Sequence, residues 1–139
     1  MKSTKSDKTF IIRLEKEDKI IESLTTFCKD NNIKAGYFTG LGACESALLA
    51  HYSLETKKYS EKNLKEPLEI IHLNGNISEM NNEPYLHVHI AVSNDKMQVF
   101  GGHLKEAVIG PTCEIFLTPL EKTLNRKPDE EIGLNLLDI

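Results

Sequence analysis

Two alternating runs separated by a short polar break constrain this chain more than any other feature. In Tyr85–Ser93 the residues Leu86, Val88, Ile90 and Val92 fall in one phase, and His87 and His89 fall in the other. In an extended strand the two phases are opposite faces, so an apolar face packs while a histidine face calls for a separate explanation. The second run, Met97–Leu104, follows the polar break Asn94-Asp95-Lys96, a loop that suits an antiparallel hairpin. Centred on Asp95, that loop sets His87 directly opposite His103 and His89 opposite Gly101. Opposed side chains on one face have Cβ atoms about 4.5–5.5 Å apart, and same-face residues along a strand are roughly 7 Å apart, so the three imidazoles converge. Gly101 and Gly102 leave room beside them. A one-residue slip would turn His103 to the opposite face, and a bulge at the glycine pair would move it.

Three neutral imidazoles suit zinc or another divalent transition metal, and three protein ligands leave a fourth position open. The candidate metal ligands are therefore His87, His89 and His103. Two function classes follow. In one, the metal organises a binding or regulatory module; in the other, a zinc-dependent enzyme uses it to activate water or polarise an unidentified small molecule. The enzyme needs a general base, for which Glu114 and Glu83 are the nearest candidates by sequence. Cupins follow a His-x-His pair with a ligating glutamate four or five positions on, where this chain has Ser93 and Asn94. His51 and His72 lack such company and are expected to be plain strand residues.

Length and composition set the frame. At 139 residues with 40% hydrophobic residues, the chain suits one domain with a real core. No apolar run reaches the eighteen or so residues of a bilayer span, and Met1–Lys8 lacks the apolar stretch of a signal peptide, so no membrane partner and a cytoplasmic location are expected. Cys28, Cys44 and Cys113 are odd in number and lie in apolar surroundings, which fits buried free thiols rather than a disulfide framework. With 17 basic and 21 acidic residues, net charge −4, nothing global draws the chain toward nucleic acid or an anionic membrane.

One convincing helix is expected from Glu17 to about Asn31. Ile20, Ile21, Leu24, Phe27 and Cys28 form its apolar stripe, and Asn31-Asn32 end it in a left-handed turn. Strands are expected at Thr9–Leu14, Ala35–Thr39, Glu45–Ser53, Leu68–Ile77, Leu86–Ser93, Met97–Gly101 and Cys113–Leu120. Short strands around one long helix indicate an α+β fold. Gly40-Leu41-Gly42 reads as a turn, since no helix or P-loop lysine follows it. The lysines at 57, 58, 62 and 65 interleave with Glu55, Glu61 and Glu66, as on a solvated hairpin. Arg126-Lys127-Pro128 precedes Asp129-Glu130-Glu131, whose carboxylates oppose its use as a phosphate clamp.

The order of Phe10-Ile-Ile-Arg13-Leu14, an amphipathic helix, Tyr37-Phe-Thr-Gly-Leu-Gly-Ala43, Leu86-His-Val-His89, Gly101-Gly-His-Leu104 and Val108-Ile-Gly-Pro-Thr112 resembles the plants-and-prokaryotes-conserved (PPC) domain. The resemblance covers residues 8–135, leaving 1–7 as a flexible N-terminus and 136–139 as a C-terminal end. It implies a curved, mainly antiparallel sheet against one main helix, assembled as a homotrimer, with a metal held in some members at the positions of His87, His89 and His103. It also implies a DNA-binding label. In plant members minor-groove contact lies largely in a separate Arg-Gly-Arg-Pro type hook, and this sequence, whose only arginines are Arg13 and Arg126, contains no such segment. Arg13, in the first expected strand, is read as a paired or interface residue. Trimerisation also has a physical attraction, because one sheet covered by one helix leaves a face and its edges to be protected. In the strand Glu45–Ser53 neither phase is plainly polar.

Overall fold

The computed structural model describes residues 1–139. Nine strands and one helix follow along the chain: β1 (Lys2–Ser6), β2 (Thr9–Leu14), α1 (Ile20–Asp30), β3 (Gly36–Ser53), β4 (Lys58–Leu64), β5 (Leu68–Met80), β6 (Glu83–Ser93), β7 (Val99–Pro119), β8 (Arg126–Asp129) and β9 (Leu134–Leu137). The fold is α+β, and its main sheet is antiparallel throughout, in the order β1-β2-β7-β6-β5-β3-β4. An additional β7–β3 pairing closes β3, β5, β6 and β7 into a ring. The ring's inner face carries Phe38, Leu73, Ile77, Val88, Ile90, Ile115 and Leu117, all buried, and α1 adds Ile20, Leu24, Phe27 and Cys28 to the same core.

The helix begins later than its periodicity suggests. Glu17 has φ 71° and donates its N–H to Ile109 O at 3.0 Å, while Asp18 O accepts from Ile109 N. These bonds tie the segment to β7 and prevent helical pairing there. The amides of the first turn are met from outside the helix: the Glu106 carboxylate accepts from Ile21 N at 2.8 Å and Glu22 N at 3.2 Å. A negative group at that end also complements the helix dipole. At the other end Asn32 has φ 52°, the left-handed residue expected there.

Two segments outside the expected strands are irregularities within long strands. Gly40-Leu41-Gly42 lies inside β3, where the register against β5 shifts between Gly40 and Gly42. Gly110-Pro111-Thr112 lies inside β7, between the pairs Gly42↔Cys113 and Cys44↔Ile109, so that three residues bulge opposite Ala43. A Cβ on Gly42 would overlap the Thr112 carbonyl oxygen and stand 2.6 Å from Cys113 Cα. Glycine is therefore required there by close approach of two backbones, not by a reversal of the chain.

The ends of the chain also form strands. Residues 1–7, expected as a flexible lead-in, contain β1, which pairs with β2 from Lys2↔Arg13 to Ser6↔Thr9 and remains exposed. β8 and β9 make a separate hairpin that was not legible beforehand, with Arg126↔Leu137 in register. It is tied to β5 by Glu79 N–H donating to Leu124 O, and to β3 by the Tyr52 hydroxyl donating to Ile132 O, both at 2.7 Å. β3 and β4 form the expected solvated hairpin. The three cysteines are free and buried, which pushes the Cys28 and Cys113 thiols up to about 12 and Cys44 up to about 11. No helix is long and apolar enough to cross a membrane.

Gly42→Ala forces backbone movement at the β3–β7 crossing and should destabilise the fold by about 1–3 kcal/mol. The measurement is the urea midpoint; an unchanged midpoint would show that the crossing has slack.

Candidate metal centre

The alternation of β6 decides which side chains face outward. Val88, Ile90 and Val92 are buried in the ring, so His87 and His89 project from the outer face beside Asn76 and Asn74 of β5. His103 joins them from β7, but in a different register from the one expected. It lies opposite His89 rather than His87, and Gly101 lies opposite Ala91 rather than His89. The connection spans Asn94–Gln98 instead of three residues. Asn94 Oδ1 accepts from Lys96 N and Gln98 N, Asn94 Nδ2 donates to Gln98 Oε1, and Met97 takes φ 58°. Two extra residues shift the partner but preserve the parity, so His103 still shares the histidine face. Gly102 serves another contact, the approach of β3, since a Cβ there would stand 2.8 Å from Ala50 O.

The imidazoles form a compact triangle. Ring centroids are 5.1 Å apart for His87–His89, 5.4 Å for His87–His103 and 5.7 Å for His89–His103. One ligand nitrogen from each lies within 4.8 Å of the other two. Around a tetrahedral zinc with Zn–N bonds near 2.05 Å the nitrogens stand about 3.3 Å apart, a contraction that the soft ring torsion of histidine permits. The donor set fits a borderline divalent metal. His51 and His72 are exposed strand residues outside the cluster.

The surroundings of His87 and His103 favour the neutral imidazole. Burial, then His87 and His89, then the Lys105 charge push His103 down to about 4. His87 is lowered by burial first and then by His89 and Arg126. Arg126 comes from β8, where it donates to Ser78 Oγ at 2.8 Å, Asn76 Oδ1 at 2.8 Å and Asn135 O at 2.7 Å, with its guanidinium 4.7 Å over the Tyr85 ring. The Tyr59 ring stands 5.5 Å from His103 and carries the Lys105 ammonium 4.3 Å above it. Under the C-terminal hairpin a cavity of about 250 Å³ is lined by His87, His103, Arg126, Tyr59 and Tyr85, and one of about 380 Å³ adjoins His103, Lys105 and Asp129.

Several of these residues escaped sequence reading. Tyr85 and Lys105 were legible in principle, since each shares the parity of the histidine two positions away. Arg126 and Tyr59 were not, because only the packing of β8 and the β3–β4 hairpin brings them to the histidines. The two carboxylates considered as bases lie elsewhere. Glu83 pairs with Lys29, four residues and about 13 Å of strand from His87. Glu114 lies on β7 between Arg13 and Leu41. Arg13 itself binds Glu15 at 3.1 Å.

A profile of the Plants and Prokaryotes Conserved (PCC) domain matches residues 1–121. Among solved structures, a protein of Bacteroides thetaiotaomicron described as a candidate DNA-binding protein is 31% identical, with 99% of this chain and 96% of that one covered and a TM-score of 0.96. A metal-containing protein of Archaeoglobus fulgidus is 34% identical over 97% of this chain and 96% of that one, with a TM-score of 0.90. A plant- and prokaryote-conserved protein of Pyrococcus horikoshii is 29% identical over 99% and 94%, with a TM-score of 0.88. A curated relative, a Synechococcus protein named bifunctional GlmU, is 29% identical over 133 residues; the chain spans only 20% of its length.

The lowered His103 has a consequence for the metal-free protein. The unfolded chain takes up a proton there from pH 6.5 downward, whereas the folded chain resists until about 4, so stability is lost as pH falls through that window. Thermal melting of metal-free protein across these pH values should show the decline, and His103→Gln should flatten it. An identical pH slope in the variant would contradict the assignment.

Proposed function

The chain belongs to the Plants and Prokaryotes Conserved domain family, and on that premise we propose that it works as a homotrimeric metal-binding module that organises a regulatory or assembly partner. His87, His89 and His103 hold a divalent transition metal, zinc in the first instance. The observation that carries this reading is the convergence of three ligand nitrogens within 4.8 Å on one sheet face. The metal-containing relative from Archaeoglobus supports it. Bound there, the metal supplies a Lewis-acidic centre with one open position.

Binding is favoured over turnover by what surrounds the trio. Of the carboxylates, only Asp129 lines the two cavities at the histidines, and it accepts the Ile132 N–H at 2.8 Å. Assembly is supported by the same outer face. Tyr37, Leu41 and Phe116 are 55%, 61% and 51% exposed on paired strands, with Ile11 opposite Phe116. Such a row of large apolar side chains suits burial against further copies of the chain. DNA contact, the role in the name of the Bacteroides relative, is in this reading a property of the assembled trimer, since the single chain carries net charge −4.

Elemental analysis with light scattering tests both halves. About one zinc per chain on a trimeric mass is expected, and a strictly monomeric mass at micromolar concentration would remove the trimer. His87→Ala, His89→Ala and His103→Ala should each lower bound metal while leaving the far-UV spectrum intact. Full metal occupancy in all three would remove the site. Phe116→Glu should reduce the assembled mass without changing metal content.

A further inference from the structure

The charges around the histidines are unbalanced. The Arg126 guanidinium has five N–H donors, and its three hydrogen bonds go to a hydroxyl, an amide oxygen and a backbone carbonyl, none of them charged. One N–H remains on each terminal nitrogen. The Lys105 ammonium rests on the Tyr59 ring. A divalent ion on three neutral imidazoles would add to this positive set, with Asp129 as the one carboxylate nearby. A half-buried cluster of like charge is stable when an anion completes it.

We infer that the cavity of about 250 Å³ beneath the C-terminal hairpin binds a small organic carboxylate, one end toward His87, His103 and Arg126 and the other among the β9 leucines. This deepens the metal-binding reading and rests on it. The two free N–H groups lie on the two terminal nitrogens and are available to carboxylate oxygens. Tyr59 and Tyr85 line the cavity, and Leu134, Leu136 and Leu137 give it an apolar side. At about 250 Å³ it falls below the roughly 300–1,000 Å³ of drug-sized sites, so the ligand is of short-chain size. An inorganic oxyanion would satisfy the charges but leave the leucines without a partner.

The test uses the full chain loaded with cobalt(II), whose visible absorption reports its ligand sphere. Cobalt content is measured first, and propionate is then titrated, with inorganic phosphate and 1-propanol as comparisons. Propionate should change the spectrum saturably, and 1-propanol should not. Arg126→Gln should retain cobalt but bind propionate at least tenfold more weakly. Arg126→Lys, which keeps the charge and loses the fork, should recover part of that loss and serves if the glutamine variant fails to fold. Cobalt uptake without a saturable response to propionate would overturn this inference alone, as would equal responses in wild type and variants or a response to phosphate only. Failure to take up cobalt would overturn the metal-binding reading and this inference with it.

Discussion

Backbone pairing along both edges of β7 is the interaction on which the rest of the structure depends. Its first residues, Val99–His103, pair with β6, its last with β2, and from His103 onward it also pairs with β3. One strand thereby bonds to three others and closes the ring that encloses the core. Glu106, on the same strand, accepts the first amides of α1 and so fixes where the helix sits. The glycines follow from this crowding: Gly42 and Gly102 stand where another backbone approaches too closely for a Cβ.

The closed ring explains how one surface collects unrelated duties. Inside, alternation fills the core with Phe38, Leu73, Val88 and Ile115. Outside, the same alternation places Phe116, Thr39, Asn74, His89 and His103 on successive strands as one continuous row. The histidines, their polar neighbours and the apolar patch are thus adjacent by register rather than by separate devices. The hairpin of β8 and β9 adds what alternation alone does not supply, a cationic and apolar roof over one end of that row.

Much of this was legible in the residues themselves. The phase of Leu86, Val88 and Ile90 settled which way the histidines point, and the stripe through Leu24 and Phe27 settled the packed face of the helix. What escaped had physical reasons. A Gly-Leu-Gly triplet has the composition of a turn and of a bulge alike, and only long-range pairing with β7 distinguishes them. The loop at Asn94 was read two residues short because side-chain bonds to Gln98, invisible to turn statistics, extend it. β8 and β9 are four residues each and one contains Pro128, so neither carries a strand-like pattern. Arg126 consequently looked like part of a charged tail rather than a wall of the site.

The histidine triangle and its roof differ in how far along the chain their parts lie. The three histidines belong to one hairpin, whose contacts are local and cheap in loop entropy. Arg126 and the β9 leucines follow the ring strands in the chain and are made later in synthesis. A nascent chain therefore presents its three histidines before it has a cavity to go with them. The order of synthesis thus sets the histidine cluster ahead of the hairpin that roofs it.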